Sequence, residues 1–190
     1  MRREVSGHSR PQGGFSLGEV LTTLAVIGIS LSLAVPGLDQ AARSNVRAAA
    51  INELVGTLHA ARSEALTRNA TVAICPSADG AACARVSWDR GWIRFIDDNG
   101  NFRADDGEVV LGAVPGSAGF EIRSTAFDTA LAFGPGGRVS APGTGPSSGD
   151  FLFCAGPADD SPRVLVLPVL GHPVLAGQRV DGRPATCAPG

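Results

Sequence analysis

Polar and apolar positions divide the chain of 190 residues into stretches of different rhythm. Residues 1–14, "MRREVSGHSRPQGG", are polar and basic. From Phe15 to Leu38 the sequence is almost wholly apolar, and between Val20 and Leu38 it carries no charge. About 20 apolar residues in a helix cross the hydrocarbon core of a bilayer, so 15–38 is expected to be a transmembrane helix. One carboxylate, Glu19, interrupts the run near its start. Charge in such a segment is costly and marks function. Beyond Pro36 and Gly37 the apolar positions return at helical spacing: Val46, Ala50, Leu54, Leu58, Ala61 and Ala65, joined by Ile51 and Val55. Arg43, Arg47, Glu53, Glu64 and Arg68 fall largely on the other side. The pattern predicts an amphipathic continuation over 39–70, with Asn69 able to end it.

From residue 71 the period shortens. "TVAIC", "GWIRFID", "EVVLG", "FEIRS", "LAFG", "DFLFCAG" and "RVLVLPV" read as short strands separated by turn-rich segments. "GPGGRVSAPGTGPSSG", Gly134–Gly149, is expected to be a flexible loop. Its glycines make no phosphate cradle, because no helix pattern follows them. The expectation is an α+β chain: a long N-terminal helix packed on a β-rich domain, 71–190.

Composition changes this picture in two ways. All 16 basic residues are arginine, and the formal charge is −2. Without residues 1–14 there remain 13 basic against 17 acidic residues, a formal −4. That balance argues against a broad nucleic-acid-binding face. The four cysteines, Cys75, Cys83, Cys154 and Cys187, all follow the apolar run, and their spacings do not fit a metal clamp. An even count in an exported domain suggests two disulfides, for which three pairings exist. Cys75–Cys83 as a local staple and Cys154–Cys187 as a clasp on the C-terminal tail are favoured.

A basic start before an apolar core also describes an ordinary secretory signal, with Ala34 or Ala42 as cleavage positions. Such a core is shorter and is not interrupted by acid. The stretch "GGFSLGEVLTTLAVIGISLSLAVPG" instead resembles the class III signal of type IV pilins and type II secretion pseudopilins. The resemblance implies cleavage by a prepilin peptidase after Gly14, N-methylation of the new first residue Phe15, and a helix bend at Pro36. It implies that Glu19 is an assembly residue, pairing with the N-terminal amine of a neighbouring subunit. An unpaired carboxylate in hydrocarbon is strongly disfavoured, so such a pairing relieves both charges.

The middle of the chain narrows the resemblance. "AARSEALTRNATVAICPSADGAAC" followed by "GWIRFIDDNGNFRADDGEVVL" is similar to the GspH/FimT group of minor pilins and pseudopilins, from Gly14 to about Leu111 and more loosely to Cys187. The group implies a long N-terminal helix against antiparallel sheets, and a structural subunit rather than an enzyme. It implies a single pass of the bacterial inner membrane, a periplasmic C-terminal domain, and other pilins or pseudopilins as partners. Some FimT-like members bind DNA through a Gly-Arg-x-Arg motif in a late hairpin. The matching stretch here reads Gly171-His172-Pro173-Val174, with both arginines missing. Arg163, Arg179 and Arg183 lie nearby without restoring the motif, so nucleic acid is not an expected partner.

Three further constellations carry candidate chemistry. Asp97, Asn99, Asn101, Arg103, Asp105 and Glu108 reproduce the 1-3-5-7-9-12 ligand spacing of a calcium loop. Calcium is the one cofactor the sequence offers. Position 6, however, is Phe102 rather than glycine, and the bland alternative is an acidic β-turn in which Asp and Asn cap backbone groups. Trp88 and Trp92 could stack a base or a sugar, but aromatic residues beside strands are expected in a core. His8, His59 and His172 form no catalytic grouping with the serines, cysteines or aspartates.

Overall fold

The computed structural model describes residue 14, residues 16–156, residue 159 and residues 161–187, apart from the side chains of 33–41, 43 and 146. Helix α1 spans Leu17–Arg68. Two compact units divide the chain, residues 1–41 and residues 42–190. Among the described residues no helix is long and apolar enough to cross a membrane. The span expected over 15–38 includes Phe15 and the side chains of 33–38, which lie outside the described residues. That expectation rests on the sequence alone.

Within the second unit α1 is amphipathic as its spacing predicts. Ala50, Ile51, Leu54, Leu58, Ala61 and Ala65 are buried, and Val55 is half-buried against the same cluster. Val46 was expected on this face but is 40% exposed. It sits beside an open groove rather than under the sheet. The helix ends where Asn69 takes a left-handed conformation, φ 53°, and the Ala70 amide donates to the Ala65 carbonyl at 3.2 Å. Asn tolerates that conformation better than most residues, which suits it to the cap.

Ten strands follow: β1 Val72–Pro76, β2 Gly91–Ile96, β3 Val110–Pro115, β4 Glu121–Arg123, β5 Leu131–Phe133, β6 Val139–Ala141, β7 Gly145–Pro146, β8 Gly149–Cys154, β9 Arg163–Leu167 and β10 Val174–Ala176. A single 3₁₀ turn, Trp88–Arg90, precedes β2. Strands β3-β2-β1-β5-β6-β7 form one sheet and β10-β9-β8-β4 a second, with all neighbouring strands antiparallel. All seven strand-like runs of the sequence lie on strands. The expected loop Gly134–Gly149 does not stay irregular, since it contains β6 and β7. Val139 and Ala141 are buried on alternate positions, and that burial outweighs the turn-rich composition around them. β10 was also unread, because its three residues are exposed and show no alternation.

The main core packs α1 on both sheets through Leu54, Leu58, Trp88, Phe127, Phe133 and Phe151. Trp88 meets Phe151 edge-on at 5.1 Å, and Phe127 stacks on Phe151 at 5.6 Å. Disulfides join Cys75 to Cys83 and Cys154 to Cys187. The first lies in a cluster with Ile93 and Phe95, the second against Leu152 and Val164.

Candidate functional site

In the first unit, α1 begins with Ser16, whose side-chain oxygen and carbonyl accept from the Glu19 amide at 3.3 and 3.0 Å. This is N-terminal capping by serine, and it leaves the Glu19 carboxylate in the first turn, where the helix dipole favours an anion. Glu19 is exposed and forms no ion pair among the described residues. The hydroxyls of Thr22, Thr23, Ser30 and Ser32 each donate to a carbonyl three or four residues back, at 2.7–3.0 Å. These four hydroxyls are thereby satisfied within the helix and need no water. Leu17, Leu21, Leu24, Ile27, Ile29 and Leu31 are all more than half exposed. Helix α1 continues through Pro36, which lacks the amide that would bond to the Ser32 carbonyl. Gly14 is exposed; Phe15, the expected site of methylation, is outside the described residues.

The acidic turn between β2 and β3 is wired internally. Asp97 is buried, and its two carboxylate oxygens accept from the amides of Gly100, Asn101 and Phe102 at 2.8–3.1 Å. Glu108 accepts from the amides of Asp98 and Asp105. Asn99 and Asn101 turn their amide nitrogens to Asp105, at 2.9 and 2.6 Å. Those two donations, with the Arg103 charge, hold the Asp105 carboxyl below its usual range. Phe102 takes φ 61°, a strained choice for an aromatic residue, and packs on the cluster that holds Cys83. Among the described residues no group of three or more His, Cys, Asp and Glu is arranged to hold a metal. The hydrogen bonds are those of capped turns.

Both tryptophans serve the core. Trp88 donates from Nε1 to the Phe127 carbonyl at 2.7 Å, and Trp92 from Nε1 to Thr57 Oγ1 at 3.1 Å. Neither ring is free to stack a ligand, with 2% and 4% of their surfaces exposed. His59 and His172 are exposed.

The late arginines are mostly committed. Asp150 is buried at the start of β8, and Arg179 reaches it with Nε and Nη2 at 3.2 and 3.0 Å while Nη2 also contacts Thr125. The Val180 amide donates to the same carboxylate at 2.9 Å. This buried pair had no sequence signal, because Asp150 reads only as the polar start of "DFLFCAG". Arg183 lies 3.6 Å from Asp181. Arg47, on the helix, pairs with Asp159 at 2.8 Å. Burial raises the Asp159 carboxyl, but amides of Ala155 and Ser161 and the Arg47 charge outweigh it and hold it below its usual range. Of the three arginines nearest the late hairpin, Arg163 alone forms no ion pair among the described residues. The arrangement is a poor phosphate track.

The described surfaces are thus an exposed apolar helix with one carboxylate, and a tightly wired helix-on-sheet domain. A family model described as "Type II transport protein GspH" matches residues 50–171. The pilin-like protein PilA1 of Thermus thermophilus is 36% identical over 102 residues, covering 50% of this chain and 54% of that protein. The chain thus spans about half the length of that curated relative. Two crystal structures of the type IV minor pilin FimU from Pseudomonas aeruginosa match with TM-scores of 0.55 and 0.58 at 21% and 22% identity. They cover 73% and 75% of this chain, and 98% and 96% of those chains. At that identity the likeness concerns the fold.

Proposed function

Because the chain belongs to the GspH family of type II transport proteins, we propose that it is a minor pilin or pseudopilin, a structural subunit of a type II secretion pseudopilus or a type IV pilus. The family match over 50–171, which takes in the packed half of α1 and strands β1–β9, is the observation that carries this reading. The pilin fold shared with FimU and the relative named as pilin-like support it.

In this reading residues 1–14 are a leader removed by prepilin peptidase, and the apolar residues from Phe15 to Leu38 anchor the chain in the inner membrane. The 42–190 unit stands in the periplasm, where both disulfides can persist. The protein has no catalytic role; it contributes a shaped surface and a helix. Glu19 is the assembly residue. Its position in the first turn of α1, exposed and without an internal partner among the described residues, supports a pairing with the terminal amine of a neighbour. Pro36 loosens the helix by one hydrogen bond. DNA capture is the weaker function, because Arg179 is occupied by the buried Asp150.

The test is incorporation. Glu19→Ala removes a charge from the apolar helix, so membrane insertion should persist while incorporation into filaments falls. Normal incorporation of this variant would remove the amine-pairing role.

A further inference from the structure

Each sheet has two edges, and three of the four are blunted. β7 is two residues long and contains Pro146. β4 has three residues, and its Glu121 and Arg123 are paired across the strand at 2.6 Å. β10 has three residues and follows directly on Pro173. β3 differs. It has six residues, of which only the last, Pro115, is a proline, pairs only with β2 among the described residues, and sits in an uncharged run from Val109 to Phe120. A bulge opposite Arg94 and Phe95 interrupts its register, but Gly112 to Pro115 remain in regular alignment with Arg94 to Gly91. Natural edges are usually short, charged or covered, because unpaired backbone groups there recruit another strand.

A groove runs beside this edge. One part, of about 350 Å³, lies between α1 and the β3–β4 connection and is walled by Val46, Ala49, Trp92, Val114 and Phe120. A second part, of about 280 Å³, shares Glu53, Trp92 and Val114 with it and reaches Arg94. Two groups there lack partners. Glu53 is exposed and forms no ion pair among the described residues. Arg94 lies across Gly112, donates weakly to the Leu111 carbonyl at 3.4 Å, and its Nε is the only buried side-chain polar atom without a partner among the described residues. An unsatisfied buried donor is costly and calls for an acceptor.

We propose that the β3 edge and this groove receive an extended segment of another pilin-like subunit, one that places an apolar side chain among Val46, Ala49 and Phe120 and an Arg or Lys against Glu53. The open edge requires an extended partner, since only a strand matches its row of donors and acceptors. Glu53 and Asp89 border the apolar part of the groove and set the sign of the partner's charge. The proposal rests on the filament reading above and names one of its contacts.

A photoreactive phenylalanine analogue at Ala113, which is exposed on β3, tests it in the full chain within cells that assemble the filament. Mass spectrometry should find cross-links to an extended segment of a different pilin-like chain, with Arg or Lys beside its apolar residues. Glu53→Arg, an exposed change on the helix, should lower the cross-link yield at least about tenfold, equivalent to about 1.4 kcal/mol, with both disulfides intact by peptide mapping. Incorporation into filaments without such a cross-link, cross-linking to β3 of a second copy, or an unchanged yield in Glu53→Arg overturns the proposal and leaves the filament reading standing. A chain that neither enters filaments nor cross-links overturns both.

Discussion

At the scale of single residues, the sequence marks positions whose reasons become visible only in space. Gly91 opens the "GWIRFID" run at φ 112°, and a Cβ there would stand 2.7 Å from the Val114 carbonyl oxygen and 2.9 Å from the Gly116 amide. Backbone on two sides leaves nothing flexible to yield. Gly91→Ala should therefore destabilise the domain by about 2 kcal/mol or more, read from its denaturant midpoint. Asp150 shows the reverse case, a residue with no sequence signal and a defined structural task. Arg179→Met leaves its buried carboxylate with one amide donor and should cost about 2–3 kcal/mol, measured the same way. Protonation acts on the same kind of contact. Asp159 is depressed below the ordinary 3.8, so its contribution is present above that value and is lost as pH falls through the lower folded one. Arg47→Met should flatten the acid limb of stability below about pH 4, since it removes one cause of the depression.

At the scale of elements, legibility followed burial. The helical positions from Ala50 to Ala65 could be read because a one-sided apolar stripe has only one periodicity to obey. Val46 shared that spacing and yet faces a groove, since spacing specifies a face of the helix and not what covers it. β6 was hidden because its three residues sit among glycines and prolines, where only contact with the core reveals the alternation of Val139 and Ala141. The acidic turn was ambiguous because calcium loops and capped turns use the same residue types. In the structure Asn99 and Asn101 both donate to Asp105. The cysteines gave three possible pairings, and the structure has the local one and the tail clasp. The Cys154–Cys187 bridge closes 33 residues of chain. Its removal in Cys154→Ser, Cys187→Ser should cost about 2–5 kcal/mol by denaturant unfolding.

At the scale of the whole molecule, the two units carry different duties. Among the described residues, the buried core from Ala50 to Cys187 lies within 42–190. The face this unit offers to a polyanion is weak, with Arg179 and Arg183 paired to acids. Duplex DNA at physiological salt should bind the chain no more tightly than about 10⁻⁴ M, and that binding should fade as salt rises. The first unit holds an apolar helix with its polar hydroxyls turned inward and Glu19 in its first turn. The claim that this helix anchors and assembles a filament subunit is tested most directly by the mass of the N-terminal peptide of the protein isolated from membranes. The account predicts a chain that begins at N-methylated Phe15, with Gly14→Ala retaining all of residues 1–14. A soluble protein that begins beyond Ala34, or beyond Ala42, would contradict it.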